Sequence, residues 1–204
     1  MPLTYLALGD SYTIGEGVEE HGRWPMQLAH ALRDEGIPLA DPQIIATTGW
    51  TTDELDAAIT AAEPPGVFDF ASLLIGVNNQ YRGRSLDEYR VQFAALLWRA
   101  VGFTGSRPER VLVLSIPDWG VTPFAAQSGR DAARIARELD EFNNVAREAC
   151  ELRGIRYVDI TGISRERGAE PAMLAEDGLH PSAAMYAEWT RLALPVTQAM
   201  LFQA

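Results

Sequence analysis

Two periodicities alternate along the chain. Short and almost continuously apolar runs occur at 3–9 (LTYLALG), 43–48 (QIIATT), 70–76 (FASLLIG), 110–116 (RVLVLSI) and 155–160 (IRYVDI). Between them lie stretches with apolar residues three and four apart, at 24–36, 51–63, 85–101, near 129–153 and from about 183. The first pattern predicts strands and the second amphipathic helices. Strands apolar at successive positions have no wet face, which places them in a parallel sheet covered by helices on both sides. The expected fold class is therefore α/β, a three-layer α/β/α arrangement on a flavodoxin-like five-stranded parallel sheet. A single domain over residues 1–204 is the simplest division.

Local signals agree with these boundaries. Thr51 with Glu54, and Ser85 with Glu88, stand in capping-box spacing at two helix starts. Gly36 and Gly154 mark helix ends. The segments 62–66 (AEPPG) and 105–108 (GSRP) read as loops. The longest stretch without a period is 117–129 (PDWGVTPFAAQSG), expected as a long and functional loop after the fourth strand.

Composition narrows the function. With 47% hydrophobic residues over 204 positions, the chain can bury a sizeable core. No apolar run approaches the ~20 residues of a membrane span, and the opening MPLTYLALGD lacks the basic and apolar regions of a signal peptide. A cytoplasmic location without stable membrane insertion is the expectation. A net charge of −11 argues against nucleic acid as a partner, because phosphates attract basic faces. All 17 basic residues are arginine, which removes Schiff-base chemistry and a Walker-type phosphate lysine. One cysteine, Cys150, excludes an internal disulfide and a multi-cysteine metal site, and reads as a buried structural thiol.

In parallel α/β sheets ligands sit beyond the carboxyl ends of the strands. Those positions hold Asp10 and Ser11, Gly49 and Trp50, Asn78 and Asn79, and Asp118 and Trp119; the fifth strand is followed at a distance by Asp177 and His180. If the sheet has the order 2-1-3-4-5, Ser11 is flanked by Gly49 on one side and Asn78 on the other. Ser11 then has the partners a nucleophile needs. His180 can take its proton, since imidazole titrates near neutrality. The N–H groups of Ser11 and Gly49 and the side-chain amide of Asn78 can form an oxyanion hole. Asp177, three residues before His180 with a glycine between, can orient the ring as the acid of a triad. Ser182 can cap the last helix.

These residues resemble the blocks of the SGNH or GDSL hydrolases, a family of serine esterases and lipases. The blocks appear in order as Gly9-Asp10-Ser11-Tyr12, Gly49, Gly76-Val77-Asn78-Asn79 and Asp177-Gly178-Leu179-His180. Tyr12 stands where the family usually has leucine, and Asn79 where it usually has aspartate. The resemblance implies a serine-dependent carboxylic-ester hydrolase acting on a small-molecule ester with no cofactor and no metal. It covers acetylated carbohydrates, lysophospholipids and thioesters as substrates, and acyl transfer as a variant. The lack of an extended apolar insertion favours short acyl groups.

Other readings of single residues stay open at this level. Ser11 alone could cap a helix, and Gly49 could serve a positive-φ turn. Asp10 or Asp118 could orient a histidine in place of Asp177, although Asp10 reads better as support for the serine loop. His30 reads as structural, and His21 could line an entrance. Trp50, Tyr81 and Trp119 are candidates for pocket walls or for ordinary packing. A flavodoxin-like module binding a phosphate or flavin is disfavoured, because GDSYTIGEG carries neither a Walker lysine nor a G-x-G-x-x-G turn.

Overall fold

A computed structural model describes residues 1–62, 64 and 66–202. Two positions of the loop expected at 62–66, the last residue of the helix expected to reach 63, and positions 203 and 204 of the expected domain lie outside the described residues. Five strands form one parallel sheet: β1 Tyr5–Gly9, β2 Gln43–Ala46, β3 Phe70–Leu74, β4 Val111–Leu114 and β5 Arg156–Val158. Their order is β2-β1-β3-β4-β5. Every residue of β1, β3 and β4 is buried, as continuous apolar runs demand.

The long helices are α2 Trp24–Asp34, α3 Thr52–Ala62, α5 Leu86–Phe103, α7 Ala132–Glu151 and α9 Ala183–Phe202. Helix α2 packs on α9, while α3 packs on α5 and α5 on α7, giving a helical layer on each face. Trp24, Trp189, Tyr89 and Phe93 fill the spaces between sheet and helices and are almost wholly buried. Cys150 lies in this core, where burial pushes its thiol up to about 12, so it is unreactive at neutral pH.

Four shorter helices were not predicted: α1 Ser11–Ile14, α4 Val77–Tyr81, α6 Pro123–Ser128 and α8 Thr161–Arg167. Each is too short to display a period. The segment 117–129 is accordingly not the open loop its sequence suggests. Asp118 accepts from the N–H of Gly120 to start a single 3₁₀ turn over Trp119–Val121, and Thr122 caps α6 with Pro123 in its first turn. Strand register aligns Gly9 with Ala46 on one side and with Leu74 on the other. The loops after β1, β2 and β3 therefore leave the sheet side by side, at the point where the chain reverses its direction across the sheet. No helix among the described residues is long and apolar enough to cross a membrane.

Candidate active site

Ser11 sits at the first position of α1, directly after β1. Asp10 caps this turn by accepting the N–H of Tyr12 at 3.0 Å. The turn folds so tightly onto the strand that a Cβ on Gly9 would lie 2.2 Å from the Thr13 hydroxyl and 2.5 Å from the Leu74 carbonyl. Only glycine fits there. The N–H of Ser11 belongs to the first helical turn, where no intrahelical acceptor exists, and it points out of the helix start.

The loop that carries Gly49 follows β2. Gly49 has φ 91°, a conformation that L side chains rarely adopt. The chain reverses here, with Trp50 N–H donating to Thr47 O at 3.3 Å. Asn78 in α4 and Arg82 just past its end, one turn apart, hold the next two carbonyls: Asn78 Nδ2 donates to Trp50 O at 2.9 Å and Arg82 Nη2 to Gly49 O at 2.6 Å. An amide nitrogen carries two hydrogens, so Asn78 keeps one for a ligand. Arg82 escaped the sequence reading; its guanidinium also reaches Glu54 at the start of α3.

Asn79 explains itself in the same region. Its Oδ1 accepts the N–H of Thr52 at 3.1 Å and its Nδ2 donates to Thr52 Oγ1 at 2.7 Å, with Asn79 fully buried. The Thr52 hydroxyl in turn donates to Gln92. The neutral amide thus finds both an acceptor and a donor, and support for the loop needs no charge.

Asp177 and His180 share a tight turn. Asp177 Oδ1 accepts the N–H groups of Leu179 and His180, both at 2.9 Å, and Oδ2 stands 2.5 Å from His180 Nδ1. Burial alone would raise the Asp177 carboxyl, but the bonds from the His180 ring and from these two N–H groups outweigh it and hold it below the usual range. The turn is closed by Ala175 N–H donating to His180 O, and it is anchored to α6 by Phe124 N–H donating to Gly178 O at 3.1 Å. Ser182 caps α9 immediately after it.

Ser11, Gly49, Asn78, Tyr81, Trp119 and His180 line one pocket of about 240 Å³. Tyr12, Val77, Phe124 and Leu179 complete its apolar walls. The residues meet although up to 169 positions separate them, from Ser11 to His180. No hydrogen bond joins the Ser11 hydroxyl to the His180 ring in this structure, a distance that catalytic pairs commonly close only around substrate. Tyr12 contacts the His180 ring edge-on with centroids 6.0 Å apart, and packs in the same way on Trp189 at 5.9 Å. This edge contact packs against the imidazole in addition to its bond with Asp177.

The structure separates the remaining candidates. Trp50 does not line the pocket; the Gly49 turn directs its side chain onto the core, and only its carbonyl serves the site. His21 and His30 are exposed and line a different cavity, between α2 and α9, so neither lines the pocket of Ser11 and His30 is not a core residue. Asp118 is engaged by Arg165 at 2.8 Å and by Gly120, and Asp10 by Tyr12, which leaves Asp177 as the partner of the ring. Among the described residues no cluster of His, Cys, Asp or Glu is arranged to hold a metal ion.

Asp10 is fully buried, and its Oδ2 has no partner among the described residues. Burial pushes its carboxyl up to about 7, against the pull of N–H groups of Tyr12, Asp10 itself and Gly76. Between pH ~4 and ~7 the unfolded chain releases this proton while the folded chain keeps it, so stability falls as pH rises through that window. The shift corresponds to on the order of 4 kcal/mol. Asp10→Asn, which keeps the acceptor for Tyr12, is expected to gain stability relative to wild type as pH rises from 4 to 8 in urea titrations. A difference that stays constant over that range would show that Asp10 does not titrate there.

The fold has close counterparts. The crystal structure of TesA superposes with a TM-score of 0.70 at 19% identity, covering 97% of this chain and 99% of that one. A lipase/acylhydrolase from Enterococcus faecalis gives 0.73 at 16%, with 98% and 96% covered. Axe2-W215I, an acetyl xylan esterase from Geobacillus stearothermophilus, gives 0.71 at 20%, with 96% and 94% covered. At these identities the likeness is one of fold. No curated protein matches the chain by sequence. The sequence pattern of the GDSL-like Lipase/Acylhydrolase family, however, matches residues 7–188. That span begins in the strand before Ser11 and runs past the Asp177–His180 turn, and on that match the chain belongs to the GDSL-like lipase/acylhydrolase family, the SGNH esterases and lipases.

Proposed function

We propose that this ester hydrolase cleaves short-acyl esters of hydroxylated alcohols through a covalent acyl-enzyme on Ser11. The observation that carries the reading is the Asp177–His180 pair, 2.5 Å apart, in a turn whose histidine shares one pocket with Ser11, Gly49 and Asn78. His180 Nε2 takes the Ser11 proton as Oγ attacks the ester carbonyl. The N–H groups of Ser11 and Gly49 and the free hydrogen of Asn78 Nδ2 receive the oxyanion. His180 then gives the proton to the departing alcohol. A water entering that space is deprotonated by the same ring and releases the acid, restoring Ser11. Asp177 stays ionised throughout and stabilises the imidazolium.

Arg82 and Asn78 act together in this scheme. By holding two consecutive carbonyls they fix the two peptide planes that follow Gly49, so the turn that carries the Gly49 N–H is held before charge develops.

The acyl pocket, about 240 Å³, is smaller than the ~300–1,000 Å³ of sites that enclose drug-sized ligands. Val77, Phe124, Trp119 and Leu179 bound it on the acyl side with apolar surface suited to a few carbons. The acetyl xylan esterase among the structural counterparts agrees with this size, as a likeness of fold. With p-nitrophenyl acetate, butyrate and octanoate, kcat/KM is expected to be at least about tenfold higher for acetate or butyrate than for octanoate. A preference for octanoate would overturn the short-acyl reading in favour of a lysophospholipase or thioesterase.

A further inference from the structure

A second cavity opens beside the acyl pocket. Its volume is about 590 Å³, and Tyr81 lines both spaces, forming the partition between them. The two differ in chemistry. The acyl pocket is walled by apolar side chains, whereas the cleft presents Gln80, Arg130, Arg134, Glu138 and Glu141.

The partition is held from the cleft side. Arg130 lies over the Tyr81 ring at 4.0 Å and donates to the Tyr81 carbonyl at 3.2 Å, while the Tyr81 ring meets Trp119 edge-on at 5.4 Å. A chain of hydrogen bonds runs from the acyl pocket into the cleft: Trp119 Nε1 to Gln80 Oε1 at 2.9 Å, Gln80 Nε2 to Glu138 Oε2 at 2.7 Å, and Arg134 Nε to Glu138 Oε1 at 2.7 Å. The bond from Gln80, with Arg134, keeps the Glu138 carboxyl below its usual range, so it remains an acceptor. Arg130 makes no ion pair, and Glu141 bonds to no side chain, among the described residues. Beyond its bond to the Tyr81 carbonyl, Arg130 keeps further N–H donors for a ligand, and Glu141 keeps its carboxylate oxygens.

We infer that this cleft is the subsite for the alcohol portion of the ester, and that it takes a polyhydroxylated unit of sugar size whose hydroxyls bond to Arg130 and Glu141. This rests on the esterase reading above. A hydrocarbon chain would strip water from charged groups without replacing its bonds, which is costly. A strongly anionic alcohol would gain at Arg130 but meet Glu138 and Glu141. A neutral polyol offers donors and acceptors together, which matches a lining of mixed sign. An acetyl group in the small pocket beside Ser11 with its sugar in the cleft would straddle Tyr81, the residue the two spaces share.

The test compares p-nitrophenyl acetate, which has no polyol, with a monoacetylated methyl glycoside, in wild type, Arg130→Ala and Glu141→Ala. Both side chains are exposed, and melting curves verify that the variants fold. For the glycoside acetate, KM is expected to rise about tenfold in each variant with kcat within about twofold, the size of one lost hydrogen bond to a charged group. For p-nitrophenyl acetate both constants are expected to stay within about twofold in Glu141→Ala, whereas Arg130→Ala, which also releases Tyr81 from one side, is judged by a loss on the glycoside acetate at least about fivefold larger than its loss on p-nitrophenyl acetate. Equal losses on the two substrates, no change on the glycoside, or a wild type that cleaves p-nitrophenyl acetate but not the glycoside would each overturn the subsite. The esterase reading fails on a separate result, equal hydrolysis of p-nitrophenyl acetate by wild type and Ser11→Ala.

Discussion

Ser11→Ala is expected to lower kcat for p-nitrophenyl acetate by about 10⁴-fold or more while leaving the protein folded. The two halves of that expectation have separate grounds. The hydroxyl is the only atom removed, and no step of the proposed cycle can form an acyl-enzyme without it. The backbone that carries it is untouched: Asp10 still caps α1 through the Tyr12 N–H, and Gly9 still permits the close turn. The N–H of residue 11 also survives, so oxyanion stabilisation remains and some turnover above the uncatalysed rate persists. Mass spectrometry after rapid mixing with p-nitrophenyl butyrate supplies the direct readout, a butyryl adduct in wild type that the variant lacks. A variant retaining a tenth of the wild-type rate, or the same adduct mass, would remove Ser11 from the nucleophile's place.

How far the site was legible follows from how each residue is held. Ser11, Gly49 and Asn78 could be grouped from sequence because continuous apolar runs fix the strands, the strands fix the sheet, and ligand chemistry gathers where they end. The Asp177–His180 pair could be found because its contact is local, three residues across a Gly178 turn. Arg82 could not be found that way. Its role depends on a carbonyl 33 positions earlier, and nothing near Arg82 in sequence distinguishes it from other surface arginines. Tyr12 and Trp50 are a matched case of the same difficulty. Both are large aromatics next to site residues, yet one turns toward His180 and the other away, because the path of a loop decides where a side chain points and no periodicity reports that path. In 117–129 the hydrophobic pattern was silent, but Thr122 followed by Pro123 is a legible helix start whose meaning appears only with the cap bond. The resulting α6 brings Phe124 to the pocket and a donor to the Gly178 carbonyl, so a segment without period supports the turn that carries the base.

His180→Ala is expected to lose nearly as much activity as Ser11→Ala, within about tenfold of it, because nucleophile and base contribute to the same transition state. For that reason the double variant should be no slower than the worse single one by more than a factor of about three. Asp177 ranks below them. Asp177→Asn retains an acceptor for the N–H groups of Leu179 and His180, so the turn persists, but its amide would oppose the ring N–H or bind the wrong tautomer. A loss of about 10²–10⁴-fold in kcat is expected. The low-lying carboxyl of Asp177 gives a further check. As an acid whose proton is released more readily folded than unfolded, it adds stability above the ordinary carboxylate range and withdraws it as pH falls through its own lower value. Wild type should therefore lose stability relative to Asp177→Asn only in that acidic window, below the range in which an imidazole base can work. If His180→Ala kept more than about a hundredth of the wild-type kcat at neutral pH, another group would be taking the Ser11 proton. His21 and His30 line another cavity, Asp118 is bonded to Arg165 and Asp10 is wholly buried, and none of the four lines the pocket that holds Ser11.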